Sequence, residues 1–84
     1  MDTGNGKLNC YPVPFTDVLH IGFEPAENEC MQRIEIFNVS GSLLKIVETG
    51  ENTQILSTQE FLPRIYLIGV VTDQNRYVKT VVKK

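Results

Sequence analysis

The chain has 84 residues, 42% of them hydrophobic and 21% charged, which is the composition of one ordinary globular domain. A domain this short buries only about 60–65% of the surface its unfolded chain exposes, so its margin of stability is thin. The net charge of −2 argues against nucleic acid or an anionic membrane as partner, and no apolar run is long enough to span a bilayer.

The first ten residues, "MDTGNGKLNC", are polar and glycine-bearing and lack the basic and apolar regions of a secretory signal peptide. They read as a linker remnant from an upstream domain, with the domain proper spanning residues 11–84. In "YPVPF", Pro12 and Pro14 fix φ and favour extended geometry at the residues before them, so Tyr11 to Phe15 is expected to enter the fold as a stiff, extended segment. "DVLHIGF" then alternates, with Leu19, Ile21 and Phe23 on one face. "PAENECMQ" has room for a turn or two of helix. "QRIEIFNV" sets Ile34 and Ile36 against Arg33 and Glu35, and "SLLKIVET" and "NTQILST" are short and rich in β-branched residues. "IYLIGVV" is apolar on both faces, which marks a central strand or one whose outer face meets a partner. "RYVKTVVK" places Val78, Thr80 and Val82 on one face and Tyr77, Lys79, Val81 and Lys83 on the other.

The breaks between these stretches have local causes. "NVSG" carries Asn at the first and Gly at the fourth position of a type I turn; Asn38 can bond the backbone two residues on, and Gly41 supplies the closing conformation. "TGEN" and "TDQN" read the same way. Strands at intervals of about 8–12 residues with such turns predict an all-β sandwich of two antiparallel sheets, immunoglobulin-like, with about seven short strands. Leu19, Ile21, Ile34, Ile36, Ile55, Leu67 and Val82 are the expected core between the sheets.

Residues arranged for catalysis are absent. His20 is the one histidine and has no acid, base or nucleophile at readable spacing. Glu24, Glu27 and Glu29 crowd one segment but lack the alternating ligand pattern of a calcium loop, so a solvated loop is expected. Cys10 and Cys30 have neither CxxC spacing nor enough partners for zinc, and two buried or half-buried thiols are expected in preference to a disulfide. No glycine-rich loop follows a strand to cradle phosphate. Neither cofactor, metal, small-molecule substrate nor catalytic residue is predicted.

Four stretches in series carry a resemblance: "YPVPFTDVLHI", "IEIFNVSGSLLK", "FLPRIYLIGVV" and the closing "YVKTVVKK". In order and spacing they resemble the type A C-terminal sorting domain of the type IX (Por) secretion system of Bacteroidetes, over about residues 11–84. The family's Tyr-Pro-Asn-Pro opening is matched by Tyr11, Pro12 and Pro14, its Asp-x-x-Gly turn by Asn38 and Gly41, and its Leu-Pro-x-Gly-x-Tyr corner by Leu62, Pro63 and Tyr66. Its terminal Lys-hydrophobic-Lys strand is matched by Lys79, Val81, Val82, Lys83 and Lys84. Val13 stands where the family has Asn, and the glycine before the Ile65–Tyr66 pair is missing.

The resemblance implies a secretion address. A cargo domain would lie upstream in the same protein, and the outer-membrane translocation and attachment machinery would be the partner. The cargo would pass through the periplasm to the outer membrane and cell surface or be secreted, and in many such cargoes the domain is removed on attachment. The competing class is a non-catalytic immunoglobulin-like adhesion or spacer module, which position separates from a sorting signal, since the signal must be C-terminal. On this reading the last strand, with lysines facing solvent, is the handle for a receptor.

Overall fold

A computed structural model of the chain describes residues 6–27 and 29–84, so residues 1–5 of the expected linker lie outside the described residues. Seven strands follow in order: β1 (Lys7–Tyr11), β2 (Val18–Glu24), β3 (Met31–Asn38), β4 (Leu43–Glu48), β5 (Thr53–Ser57), β6 (Ile65–Thr72) and β7 (Arg76–Val82). They form a three-stranded sheet, β1-β2-β5, and a four-stranded sheet, β4-β3-β6-β7, with every strand pair antiparallel. The described residues contain no helix; in the stretch after β2, the Glu29 amide closes a turn on the Ala26 carbonyl at 3.1 Å. β1 begins ahead of residue 11, the expected start of the domain, because "KLNCY" itself alternates and sends Leu8 and Cys10 toward the core.

The core fills the space between the sheets. Leu19, Ile21 and Phe23 of β2 meet Ile34 and Ile36 of β3 and Tyr66, Ile68 and Val70 of β6, with Phe15, Leu56 and Val81 closing it. The faces expected for β2 and β3 are the observed ones. Three other core expectations are corrected. Ile55 is 62% exposed and Leu56 is inside; Val82 faces out and Val81 is inside; Leu67 is half-buried on the outer face while Ile68 is fully buried. Each error is a one-residue slip, which in a strand of period two exchanges the faces. Directly opposed residues share a face, so the register Leu19↔Leu56, Ile36↔Ile68 and Tyr66↔Val81 decides which of two adjacent apolar residues turns inward.

β6 is central in its sheet, between β3 and β7, which accounts for its inner apolar face. Its outer face lies beside Phe37 and Leu43 in one cross-strand row, where Leu67 opposes Phe37 and Phe37 opposes Leu43.

Candidate functional site

The matched motifs sit on the connections at one end of the sandwich, and backbone bonds tie those connections together. The entry segment does not run extended as expected: after β1 the chain bends through residues 12–14, where the Tyr11–Pro12 and Val13–Pro14 peptide bonds are both cis, and Tyr11 stacks on His20 with ring centroids 5.0 Å apart. The bend delivers Phe15 into the core with no exposed surface. There the Phe15 amide donates to the Val82 carbonyl and the Lys84 amide donates to the Phe15 carbonyl, both at 2.9 Å. The proline-flanked opening and the closing strand are therefore fastened to each other.

The segment between β5 and β6 joins the same knot. Thr58 donates its amide to the Asp17 carbonyl and its hydroxyl to the Thr16 carbonyl, both at 2.8 Å. The Thr58 carbonyl accepts from the Phe61 amide and from the Lys83 ammonium, and the Lys83 amide donates to the Arg64 carbonyl. Lys83 is buried with its side chain on the inner side, which corrects the expectation that it carries charge into solvent. A lysine near the end of a terminal strand reads as outward-facing, but here a carbonyl across the fold satisfies its ammonium. The Tyr66 hydroxyl donates to the Leu62 carbonyl at 2.7 Å, and Tyr66, Phe61 and Phe15 form an aromatic trio with centroids 5.0–6.5 Å apart.

The β3–β4 turn completes this end. The Gly41 amide donates to the Asn38 carbonyl at 3.0 Å, the bond expected of the four-residue turn, and Gly41 has φ of 91°, where a side chain would be strained. Asn38 Oδ1 accepts from the Ser40 amide, the Ser40 hydroxyl and the Ser42 amide. Between this turn and the corner at residues 60–66 lie two open clefts. One, of about 250 Å³, is lined by Asn38, Leu44, Glu60, Phe61, Leu62, Arg64 and Tyr66. The other, of about 410 Å³, is lined by Asn38, Val39, Ser40, Arg64 and Ile65.

The profile of the family described as secretion system C-terminal sorting domain matches residues 9–84. The chain belongs to that family. It is a family of sorting signals, that of the type IX system, and not one of catalysts. A search of curated proteins gives no match.

The sorting domain thus brings Pro12, Pro14, Asn38, Gly41, Leu62, Pro63, Tyr66, Val82, Lys83 and Lys84 to one end, with Tyr11 leading into the bend and Val81 in the core beneath. Lys79 does not join them: it opposes Ile68 within β7. Sequence reasoning passed over Thr58, Phe61 and Arg64. The last two lie beside the Leu62–Pro63 motif, but the bonds that tie Thr58 into this end, to Thr16 and Lys83, run 42 and 25 residues along the chain and leave no local signal.

At the opposite end of the domain, Glu29 corrects the expectation of a solvated acidic loop. It is buried, and its carboxylate accepts from the Thr72 hydroxyl at 2.6 Å, the Tyr77 hydroxyl at 3.0 Å, the Ala26 amide at 3.0 Å and Asn75 Nδ2 at 3.4 Å. Burial pushes this carboxyl up, but the bonds from Thr72, Ala26, Tyr77 and Asn75 outweigh it and leave the carboxyl below its ordinary value. The Gly6 amide donates to the Tyr77 hydroxyl, which ties the start of the described chain to this cluster. A Cβ at Gly6 would lie 2.6 Å from the Glu24 carbonyl oxygen, so only glycine fits that approach. Among the described residues no group of three or more His, Cys, Asp or Glu side chains is placed to hold a metal ion. Both cysteines are free thiols. Burial pushes Cys10 up to about 11, against the pull of the Lys79 charge, whereas Cys30 is exposed and not half-buried as expected.

Proposed function

We propose that this domain is the folded address of an exported cargo, read by the outer-membrane type IX machinery at the end where Phe15, Asn38, Leu62, Tyr66 and Lys83 meet. The observation that carries the reading is convergence: motifs spread from residue 11 to residue 84 come together at one end through bonds between segments far apart in sequence. Gly6 lies at the other end, beside Tyr77, and the eight residues of β6 separate the two ends by about 25 Å. A cargo joined ahead of Gly6 leaves the motif-bearing end open to a receptor. On this reading the domain accompanies its cargo through the periplasm and across the outer membrane to the surface or the medium. Its removal on surface attachment belongs to the same reading.

A periplasm-directed reporter fused ahead of residues 1–84, expressed in a bacterium with a working type IX system, tests this by cell fractionation. The fusion should reach the cell surface or medium, while the reporter alone stays periplasmic. Ile36→Asp, which places a charge in the core, should strand the fusion, because the address is read only when folded. Retention of the parent fusion in the periplasm would overturn the sorting reading. Normal export of the Ile36→Asp fusion would overturn the folded-address part of it.

A further inference from the structure

The two clefts share two side chains, Arg64 and Asn38, and both present donors without acceptors. Of the three arginines, Arg33 and Arg76 close on Glu35 at 3.0 and 3.5 Å. Arg64 is exposed and has no ion pair among the described residues, although Glu60 lines the first cleft. Asn38 commits its Oδ1 to three turn bonds, which fixes the orientation of its amide and leaves Nδ2 with no partner among the described residues. Around these donors stand exposed aliphatic side chains: Val39 at 68%, Leu62 at 55%, Leu44 at 49% and Ile65 at 45%. Exposed apolar side chains scattered singly are ordinary, but these four line or border two adjoining clefts.

We propose that Arg64 and Asn38 form the recognition point of the domain for a carboxylate side chain on an extended, aliphatic-flanked segment of a receptor protein. The choice of occupant follows from charge and donor complementarity. A guanidinium offers a planar fork that a carboxylate accepts in bidentate fashion, the Asn38 amide adds a donor on the adjoining wall, and aliphatic neighbours of the acid pack on Val39, Ile65, Leu44 and Leu62. An extended segment places its acidic residue toward the clefts and its next-but-one neighbours on the same side, a spacing of about 7 Å. The inference rests on the sorting reading and names the chemistry of the partner at that same end.

The probe is the blocked peptide Ac-Val-Thr-Glu-Thr-Val-NH2, which sets both valines on the same side as the acid, titrated into the ¹⁵N-labelled 84-residue chain and compared with the same peptide carrying Gln in place of Glu. Saturable shifts are expected at Arg64 Nε–H and Asn38 Nδ2–H₂, with a Kd of about 1–10 mM for so short a segment. The Gln peptide should bind about fivefold or more weakly, since it loses the charge-assisted pair. Arg64→Gln should abolish the difference between the peptides, with the rest of the spectrum unchanged. Asn38→Asp, which keeps the turn acceptor but replaces the donor by a second oxygen, should weaken binding of the Glu peptide. Equal binding of the two peptides, shifts centred elsewhere, or no saturable shift would overturn the inference.

In the reporter fusion, Arg64→Gln should slow export of a folded domain. If the parent fusion is exported and Arg64→Gln matches it, this inference falls alone. If the parent fusion itself stays in the periplasm, it is the sorting reading that falls.

Discussion

Phe15→Ala should be the most damaging single truncation at the motif-bearing end. The ring is fully buried and packs against Phe61 and Tyr66, with centroids 6.5 and 6.3 Å away. Removing it forfeits about 110 Å² of buried apolar area, or about 3 kcal/mol. The residual cavity and the lost ring contacts bring the expected cost to about 3–5 kcal/mol. A domain of this length has a total stability of roughly 4–13 kcal/mol, so the variant should be marginal. With a urea slope of about 1 kcal/mol per molar for so small a domain, the unfolding midpoint should fall by about 3 M or more. Val13→Ala, a change two residues away at a half-exposed side chain, should stay within about 0.5 kcal/mol. Hydrogen exchange supplies a second readout, because the Lys84 amide donates to the Phe15 carbonyl and should exchange faster once the ring is gone. A loss below about 1 kcal/mol for Phe15→Ala would refute the argument that this ring holds the opening and closing segments together.

Ile36→Ala should cost about 2–4 kcal/mol by urea unfolding, whereas Ile55→Ala, at an exposed position, should cost under about 1; equal losses would show the inward faces to be misassigned. Gly41→Val should destabilise by about 1–3 kcal/mol because of the positive φ, while Asn38→Asp should be nearly neutral, since Asp keeps the oxygen that accepts from Ser40 and Ser42; the reverse order in chemical denaturation would refute the turn geometry. The Glu29 carboxyl is lowered in the folded state, so its contribution is fully present above the ordinary value of 4.5 and is lost as pH falls through the lowered folded value. Unfolding measured from pH 7 to pH 2 should therefore show a loss beginning below about pH 4.5 that Glu29→Gln removes, and an unchanged profile in that variant would refute it.

Seen from the residues, the two ends of this domain were unequally legible. The β3–β4 turn could be read from four letters, because an Asn side chain and a φ that favours glycine act within a few residues of themselves. The corner at residues 60–66 was legible only as a motif. The bonds that make it a site run from Thr58 to Thr16 and Asp17 and from Lys83 to Thr58 and Arg64, and no local pattern announces partners so distant. Glu29 was hidden for the same reason: its bonds come from Thr72, Asn75 and Tyr77, on and beside the hairpin that joins β6 to β7.

The amino-acid sequence by itself determined that this is an all-β sandwich, that a turn falls at Asn38–Gly41, and which faces of β2 and β3 turn inward. Those features follow from a side-chain period of two and from the backbone preferences of Asn, Gly and Pro, which act locally. Tertiary structure alone decided between Ile55 and Leu56, between Leu67 and Ile68, and between Val81 and Val82. In each pair two apolar residues stand side by side, so alternation is silent and the choice falls to the register with the neighbouring strand. The burial of Lys83 was decided in the same way, because an ammonium can leave water only where the fold supplies an acceptor, and that acceptor is the carbonyl of Thr58.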